Sequence, residues 1–352
     1  MFAFLNRNRA ANASINGASI RVEPGETLLQ AALRNGIDFP HSCRVGGCAS
    51  CKCRLLQGKV RELTETGYIL SAEELDQGYI LACQSVPRGD VSIEVDSAQQ
   101  EARQVRGKVV AQERLTHDIT RLTLQLETGL PYQAGQYAEL SLDCLPNHAR
   151  SFSFASSPRA DAKVSFFIRK VPGGRLTTLV DSHSLVGQGA NLKGPQGQFH
   201  LRPADAPLLL VAGGSGLAPL LAILQDALAG NVRRPVTLLF GARQEHDLYA
   251  LEEIQALARQ WLGPFHFVPV LSEADRHAAW EGARGLVSEQ IPVLLQAGSH
   301  AYLCGPPGMI DSASALLQRH GVARENIHAD RFTLQQAPHA APESAATQPA
   351  SL

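Results

Sequence analysis

The sequence predicts a multidomain α+β and α/β protein: a small mixed unit, then an antiparallel β-barrel, then a doubly wound domain with a parallel sheet. Three observations lead to this fold class. The chain has 352 residues, enough for two or three separate hydrophobic cores. Short strand-like runs separated by turn residues fill its middle, as is typical of a barrel. Strand-like and helix-like runs alternate in its last third, as is typical of a parallel sheet.

The first unit is predicted to cover residues 1–97. Asn16-Gly17 lies between two strand-like runs and is a strong signal for a hairpin turn. Helical spacing follows from Gly25 and ends at Gly36. A cysteine-rich loop and several strand-like segments complete this unit, and the polar residues 98–104 are predicted to be a linker.

The barrel is predicted over residues 105–204, with five strand-like runs separated by turn signals. The doubly wound domain is predicted over residues 205–335, where the first strand, "LLLVAG", leads through a glycine turn into a helix. The remaining residues 336–352 are rich in Ala, Pro and Gln, a composition that predicts a disordered tail.

Charge and hydropathy exclude two classes of function. The formal net charge is −1, which provides no basic field for nucleic acid. The apolar stretch at 206–230 approaches the length of a membrane helix, but glycines and Pro219 interrupt it, and we interpret it as a buried strand, a turn and a helix. No secretory leader opens the sequence, and we therefore expect a cytoplasmic, non-transmembrane protein. Peripheral attachment to the inner membrane through a partner stays open.

Four cysteines have the spacing of an iron–sulfur site. Three of them form a C-x4-C-x2-C pattern and the fourth follows much later, which is the plant-type arrangement for a 2Fe–2S cluster. The predicted ligands are Cys43, Cys48, Cys51 and Cys83. Reduced thiols in the cytoplasm disfavour a disulfide knot. A structural zinc site is the alternative, although zinc usually uses two close cysteine pairs.

Two neighbours of this loop are predicted not to be ligands. Cys53 is left over once the cluster has four thiolates, and we expect it to pack in the core. His41 stands alone, whereas a Rieske-type centre needs two histidines. Gly46 and Gly47 are expected to let the loop turn sharply and direct N–H groups at the sulfurs.

A strand of the barrel carries residues suited to a flavin. A flavin needs a cation for its pyrophosphate, an aromatic ring against the isoalloxazine and a hydroxyl near N5. Arg150, Phe152 and Ser153 supply these groups in that order. An ordinary strand with alternating faces is the alternative for so short a motif.

A glycine pair further along the barrel suits a phosphate. Gly173 and Gly174 precede Thr177 and Thr178 at the start of a predicted helix. The N-terminus of a helix is a ready site for an anion.

The last domain begins with a turn typical of dinucleotide binding. Gly213 and Gly214 end the first strand, and Gly216 and Pro219 open the helix. Such a turn brings N–H groups up to a pyrophosphate. After the next strand, Arg243 is offset by Glu245 and Asp247. This balance of charge favours NADH over NADPH, whose 2′-phosphate requires cationic partners.

These motifs together resemble a known family. Residues 15–97 resemble a plant-type, β-grasp ferredoxin with its P-x-S-C-R-x-G-x-C-x-x-C stretch. The segments "RSFS", "GGRLTT", "GGSGLAP" and "CGPPGM" resemble motifs of the ferredoxin–NADP⁺ reductase superfamily. In this order the domains are similar to the reductase components of multicomponent oxygenases, above all the electron-transfer components of xylene monooxygenases. Ala49 and Phe152 depart from the glycine and tyrosine that are usual in the family.

The resemblance implies FAD as the flavin and a nicotinamide site formed by Cys304, Gly305 and Pro306. It implies that Ser153 and Cys304 are the catalytic residues and that Phe332 lies near the flavin. The implied oxidoreductase passes electrons from NADH through FAD and the 2Fe–2S cluster to a terminal oxygenase, either a Rieske dioxygenase or a diiron hydroxylase, soluble or membrane-bound. A desaturase or deoxysugar dehydratase as acceptor is one alternative. A non-catalytic, metal-stapled interaction or sensor module is another.

Charge also suggests where a partner docks. The segment from His41 to Arg61 contains several basic residues and no acidic one. The basic residues are Arg44, Lys52, Arg54, Lys59 and Arg61. A basic collar beside the cluster would steer an acidic oxygenase surface, whereas an ordinary solvated surface is the alternative.

Overall fold

The computed structural model describes residues 10–41, 44–46, 49–64, 66–67, 69–70, 72–95, 103–274 and 280–332. Cys43 and Cys48, most of the predicted linker and the predicted tail lie outside these residues.

The N-terminal unit is a β-grasp domain with a five-stranded mixed sheet in the order β2-β1-β7-β3-β5. Strand β1 runs antiparallel to β2 and parallel to β7. Strands β4 and β6 form a separate pair. The elements are β1 (Ala11–Ile15), β2 (Ala18–Val22), α1 (Leu28–Arg34), β3 (Lys52–Gln57), β4 (Val60–Glu62), α2 (Ala72–Asp76), β5 (Tyr79–Leu81), β6 (Ser85–Pro87) and β7 (Val91–Glu94).

Local sequence explains the first hairpin and helix as predicted. Asn16 and Gly17 have φ values of 48° and 87°, and two consecutive positive φ angles match the twist of a two-residue hairpin. Thr27 and Gln30 form a reciprocal capping box at the start of α1. Gly36, with φ 71°, follows the end of that helix.

The middle domain is the predicted antiparallel barrel, with strand order β11-β10-β13-β8-β9-β12. An antiparallel bridge between Phe154 and Phe166 joins its two edge strands, and both rings are fully buried in the interior. Its elements are β8 (Arg103–Arg114), β9 (Ile119–Leu126), β10 (Tyr137–Leu142), β11 (Leu145–Ser153), β12 (Lys163–Arg169), α3 (Arg175–Ser182) and β13 (Gly189–Gln196). The sequence did not predict β13, because its two glycines and a proline are unusual in a strand.

The C-terminal domain has a six-stranded parallel sheet in the order β17-β16-β15-β14-β18-β19. Its elements are β14 (Leu208–Gly213), α4 (Leu217–Ala229), β15 (Val236–Ala242), α5 (Leu251–Gln260), β16 (Phe265–Leu271), β17 (Ala283–Arg284), α6 (Ile291–Leu294), β18 (His300–Gly305), α7 (Pro307–Arg319) and β19 (Ile327–Arg331). The apolar stretch at 206–230 is therefore a strand, a turn and a helix, as predicted. Among the described residues, no helix combines the length and hydrophobicity that crossing a membrane requires.

The barrel and the C-terminal domain share one hydrophobic core. Barrel residues Ile119, Phe167 and Phe199 belong to the same buried cluster as Leu210 of β14 and Tyr302 of β18. This shared core places the end of β12 beside the turn that follows β14: a Cβ atom on Gly214 would lie 3.0 Å from Nη1 of Arg169. Ligands of doubly wound sheets bind at such strand ends.

Candidate active site and cluster loop

The cysteine-rich loop between α1 and β3 has unusual backbone geometry. Arg44, Gly46 and Ala49 have φ values of 59°, 80° and 56°, in the left-handed region that disfavours most side chains. A Cβ atom on Gly46 would lie 2.7 Å from Cγ of Gln84. Glycine is therefore required at position 46 both for its conformation and for its close approach to the segment that carries Cys83.

The two predicted ligands that the structure describes lie next to each other. Cys51 and Cys83 are both buried, and the Cys83 backbone N–H donates to Sγ of Cys51 over 3.4 Å. Nε2 of Gln84 donates to Sγ of Cys83 over 3.5 Å. Donors directed at the sulfurs stabilise thiolates and tune the potential of a cluster that they hold. This pair therefore fits half of the donor set of a 2Fe–2S cluster.

Cys53 and His41 are engaged elsewhere. Cys53 is fully buried in the core of the β-grasp domain, where burial raises the pKa of its thiol to about 12 and keeps it protonated. Nδ1 of His41 lies 2.7 Å from the Phe39 carbonyl oxygen, and its Nε2 lies 2.9 Å from the Arg44 guanidinium. Both ring nitrogens of His41 therefore have partners within the protein.

A polar contact connects the cluster loop to the barrel. Oγ of Ser50 lies 3.3 Å from the hydroxyl of Tyr137 at the start of β10. The Tyr137 hydroxyl donates to Oε1 of Gln196 over 3.2 Å. In the β10–β11 pair, Tyr137 is directly opposite Ser153. Ser50, the residue before Cys51, is thus connected through the Tyr137 side chain to the predicted flavin-binding strand β11.

The predicted flavin residues follow one another along β11. Arg150 is exposed, Phe152 is half-buried and Ser153 is buried. Because side chains alternate along a strand, Arg150 and Phe152 lie on one face of the sheet and Ser153 on the other. A cation and an aromatic ring on one accessible face suit the pyrophosphate and the isoalloxazine of a flavin.

The start of α3 presents backbone donors without a side-chain cap. Gly174 is the N-cap residue and makes no side-chain hydrogen bond. Oγ1 of Thr177 donates to the Gly174 carbonyl oxygen over 3.2 Å and accepts from the Val171 N–H over 3.2 Å. Thr178 is exposed in the first turn. Thr177 therefore holds the turn together, while Thr178 is exposed.

The turn after β14 is built for close approach of backbone. A Cβ atom on Gly216 would lie 2.1 Å from the carbonyl oxygen of Cys304 on the neighbouring strand β18. Gly214 has φ 55°, and its carbonyl oxygen accepts a hydrogen bond of 2.9 Å from the buried Tyr249 hydroxyl. Pro219 is buried in the first turn of α4. This geometry brings the start of α4 against the ends of β14 and β18.

Two side chains from two motifs meet at one carboxylate. Oγ of Ser153 donates to Oδ2 of Asp330 over 3.1 Å. Sγ of Cys304 donates to the same oxygen over 3.9 Å. Burial first, and then the neighbouring Asp330 charge, raise the pKa of the Cys304 thiol well above its ordinary value. The Cys304 thiol is therefore protonated at neutral pH.

Backbone contacts fix the segment that follows Cys304. Gly305 has φ 154°, and a Cβ atom there would lie 2.8 Å from Cε of Met309. The Gly305 carbonyl oxygen accepts a hydrogen bond of 3.0 Å from the Phe332 N–H. Pro306 is the N-cap residue of α7. The predicted residues Gly305, Pro306 and Phe332 therefore adjoin Cys304.

The predicted charge balance after β15 is also present. Oδ2 of Asp247 lies 3.9 Å from Nε of Arg243 and accepts the Gln244 N–H over 3.0 Å. Arg243 is half exposed, whereas Asp247 is 14% exposed. The carboxylate thus neutralises part of the cationic charge at this end of the sheet.

Three known protein families match the chain, one over each of the three domains. Residues 13–88 match the family of 2Fe-2S iron-sulfur cluster binding domains. Residues 106–201 match the oxidoreductase FAD-binding domain, and residues 210–315 match the oxidoreductase NAD-binding domain. FAD, a 2Fe–2S cluster and NAD are therefore the cofactors of this chain.

Relatives that match the chain over nearly their whole length show the family to which it belongs. The chain is 41% identical over 321 residues to the xylene/toluene monooxygenase electron transfer component XylA of Pseudomonas putida, covering 90% of this chain and 91% of the relative. The chain belongs to the oxygenase reductase components. A second Pseudomonas putida relative, the reductase component of the naphthalene 1,2-dioxygenase system, is 38% identical over 90% of this reductase and 96% of its own length.

Solved structures agree with this assignment. The reductase resembles the Amycolatopsis cytochrome P450 reductase GcoB with a TM-score of 0.66 and 33% identity, over 92% of this chain and 99% of that one. It resembles the ferredoxin reductase of carbazole 1,9a-dioxygenase with a TM-score of 0.66 and 29% identity, over 93% and 99% of the two chains.

The reductase contains site residues that sequence reasoning missed. Asp330 belongs to the "DRF" segment, but its contact with Ser153 bridges distant strands and has no local signal. Tyr137 reads as an ordinary aromatic residue of a strand until its hydroxyl is placed beside Ser50. Tyr249, whose hydroxyl donates to the carbonyl oxygen of Gly214, likewise has no local signal in the sequence.

Proposed function

We propose that this chain passes electrons from NADH to a terminal oxygenase, with hydride transfer beside Ser153 and Cys304 and electron exit through the cysteine-rich loop. When bound, FAD accepts a hydride from NADH, and the 2Fe–2S cluster passes electrons on singly. One observation carries the proposal: the flavin-strand residue Ser153 and the nucleotide-motif residue Cys304 both donate to the Asp330 carboxylate. Motifs from two domains thus converge on one buried position.

Asp330 positions both neighbouring side chains. By accepting from the Ser153 hydroxyl over 3.1 Å, it fixes the rotamer of that side chain. Burial first, and then the negative charge of Asp330, raise the pKa of the Cys304 thiol and keep it protonated, which makes Cys304 an uncharged neighbour for a nicotinamide. Shared packing of the barrel and the nucleotide domain excludes water from this junction.

Separate residues are proposed to hold each cofactor. The cluster ligands are Cys43, Cys48, Cys51 and Cys83. The FAD contacts are Arg150, Phe152, Ser153, Gly174, Thr178 and Phe332, with Thr177 holding the turn. The NAD contacts are Gly213, Gly214, Gly216, Pro219, Arg243, Asp247, Cys304, Gly305 and Pro306.

The charge near the adenosine end favours NADH over NADPH. Arg243 is the cation that a 2′-phosphate would use, but Asp247 lies 3.9 Å from it. The Asp247 carboxylate would repel a phosphate dianion and accept hydrogen bonds from free ribose hydroxyls instead.

The proposed partner is an oxygenase of aromatic hydrocarbon oxidation, because such systems are named for the relatives of this chain. Part of the predicted basic collar supports a docking surface. Lys52 is paired with Glu74 at 2.5 Å, whereas Arg54, Lys59 and Arg61 are exposed. Leu56 and Leu63 are also exposed. Exposed cations and apolar side chains in one segment of the chain suit an acidic protein partner.

Cluster replacement tests the electron path. NADH added anaerobically to the wild-type holoprotein should bleach both flavin and cluster absorbance. The Cys83→Ser variant should lose the cluster absorbance while NADH still bleaches its flavin, because the flavin site does not depend on that thiol. The matched Cys53→Ser variant should behave as the wild type. A colourless, zinc-containing protein, or a flavin that NADH does not bleach, would refute the proposed function.

Charge reversal tests the docking surface separately. The double variant Arg54→Glu, Lys59→Glu should reduce its own flavin and cluster normally but reduce the oxygenase about tenfold more slowly at low salt. The difference should shrink as ionic strength rises. An unchanged rate and salt dependence of oxygenase reduction would show that the partner docks elsewhere.

A further inference from the structure

We propose that His117, His246 and Asp247 form a binding site for a divalent transition metal ion at the junction of the barrel and the nucleotide domain. His117 lies in the loop between β8 and β9, whereas His246 and Asp247 lie in the turn after β15. One ligand atom from each residue can be chosen so that all three lie within 4.8 Å of one another. Two domains that meet only in the folded chain thus contribute to one donor set.

The Asp247 carboxylate has one oxygen available for this site. Its Oδ2 accepts from the Gln244 N–H and faces Arg243. Its Oδ1 faces both histidines, at 3.3 Å from Nδ1 of His117 and 3.6 Å from Nε2 of His246. The backbone bond to Oδ2 holds the carboxylate in the orientation that directs Oδ1 at the imidazoles.

The two nitrogen–oxygen distances are close to the edges of a tetrahedral site. Bonds of about 2.0–2.1 Å to nitrogen and oxygen at tetrahedral angles place ligand atoms about 3.3–3.4 Å apart. The two nitrogen–oxygen distances, 3.3 Å and 3.6 Å, are close to this value, and all three ligand atoms lie within 4.8 Å of one another. Both histidines are more than half exposed, which leaves an entry path and a fourth position for water.

A second carboxylate lies behind His117. Nε2 of His117, the nitrogen facing away from the proposed ion, is 4.0 Å from Oδ2 of Asp118. Asp118 is held in turn by Nε of Arg169 over 2.7 Å. At 4.0 Å this carboxylate is beyond hydrogen-bond distance of the ring, so it acts on the His117 imidazole only through its charge.

The donor set selects the class of metal. Two imidazoles and one carboxylate suit Zn²⁺ and similar divalent ions, whereas Mg²⁺ and Ca²⁺ require more oxygen ligands. Asp247 is also a proposed contact of the adenosine ribose, and this consequence rests on the proposed function. A metal bound to Oδ1 would withdraw that carboxylate from the nucleotide, and by linkage each ligand would weaken the other.

Metal uptake by the holoprotein tests the site directly. Cys144 is an exposed thiol, and a Cys144→Ser background removes it as a competing zinc ligand. Zn²⁺ bound after equilibrium dialysis would be measured by mass spectrometry, with iron measured alongside to show that the cluster is retained. We expect the background protein to bind one more Zn²⁺ than its His117→Gln variant, and Mg²⁺ not to compete.

Two further variants sharpen the result. His320→Gln alters an exposed histidine at the end of α7 and should leave zinc uptake unchanged. Asp118→Asn removes a nearby negative charge but no hydrogen bond to His117, and it should weaken zinc binding by less than about tenfold. Equal zinc stoichiometry and affinity in the background protein and the His117→Gln variant would overturn the proposal.

NAD⁺ binding, which leaves the flavin oxidised, separates the site from the proposed function. Saturating Zn²⁺ should weaken NAD⁺ binding at least tenfold in the background protein but not in the His117→Gln variant. Zinc uptake that depends on His117 but leaves NAD⁺ affinity unchanged would support the metal site and refute the nucleotide role of Asp247.

Discussion

Substitution of Gly216 by alanine probes a very close backbone contact in the proposed nucleotide site. The added Cβ would lie 2.1 Å from the carbonyl oxygen and 2.5 Å from the carbonyl carbon of Cys304, and 2.9 Å from the Gly305 nitrogen. All three neighbours are backbone atoms of β18 or its end, so rotation of a side chain cannot relieve the contact. The start of α4 and the end of β18 must therefore move apart.

The size of this movement follows from the contact distance. A carbon–oxygen contact relaxes near about 3.2–3.4 Å, which requires a displacement of roughly 1 Å. Overpacking of this kind costs about 1–3 kcal/mol of unfolding free energy. A misplacement of about 1 Å also costs on the order of 10²-fold in a reaction that requires aligned partners. We expect the Gly216→Ala variant to fold and retain its cofactors, but to reduce its flavin with NADH about 100-fold more slowly.

Anaerobic stopped-flow measurement of flavin reduction by NADH is the appropriate assay, with dithionite reduction as a check that the flavin itself is intact. Gly230, at the other end of α4, provides the matched control. A Cβ there would meet only atoms at 3.5 Å and 3.6 Å, and Gly230→Ala should reduce its flavin at the wild-type rate. A Gly216→Ala variant with wild-type rate and nucleotide affinity would refute the role assigned to this contact.

Two further predictions concern titratable groups. Asp330→Asn keeps the shape of the side chain but removes the charge beside Ser153 and Cys304. Flavin reduction by NADH should slow about 10–100-fold, with little change in NAD⁺ affinity. A wild-type rate of flavin reduction would show that Asp330 has no role in the site. Burial first, and then the Arg202 charge, lower the pKa of His328 to about 4 from 6.5. Between pH 6.5 and pH 4 the His328 imidazole therefore binds a proton in the unfolded chain but not in the folded protein. The free energy of unfolding should fall by about 3 kcal/mol through this residue as the pH falls over that range. Denaturant unfolding of His328→Gln should show a weaker loss over that range, and parallel pH profiles of variant and wild type would contradict the assignment.

Strong local patterns made most of the fold predictable. The hairpin at Asn16-Gly17 and the strand "VTLLFGA" at Val236–Ala242 have the predicted positions. Strand β13 escaped prediction because its sequence, "GANLKGPQ", contains residues that are poor in strands. It pairs with β8 and β10 over most of its length, and this tertiary pairing overrides the weak local preference.

The cofactors were predictable because single segments carry the chemistry that binds them. Cysteine spacing predicted the cluster and the glycine turn predicted the nucleotide, because each motif places its groups within a few residues. Asp330 contributes through contacts with strands that are remote in sequence, Ser153 being 177 residues away. Ala49 is the opposite case, because its departure from the usual glycine is visible in the sequence itself. The structure shows that alanine there adopts φ 56°, at a cost of about 1–2 kcal/mol.

The proposed reaction requires accurate placement for hydride transfer and access of a partner to the cluster loop. The packing between the domains differs at these two places. Hydride transfer needs accurate placement, and its proposed site lies where the barrel and the nucleotide domain share one hydrophobic core. The core of the β-grasp domain, in contrast, is built from residues between Ala13 and Val95, and its contact with the barrel at Ser50 and Tyr137 is polar. Polar contacts exchange with water at little cost, whereas a shared core does not. A partner could therefore take the place of the barrel beside the cluster loop without disturbing the residues around Asp330.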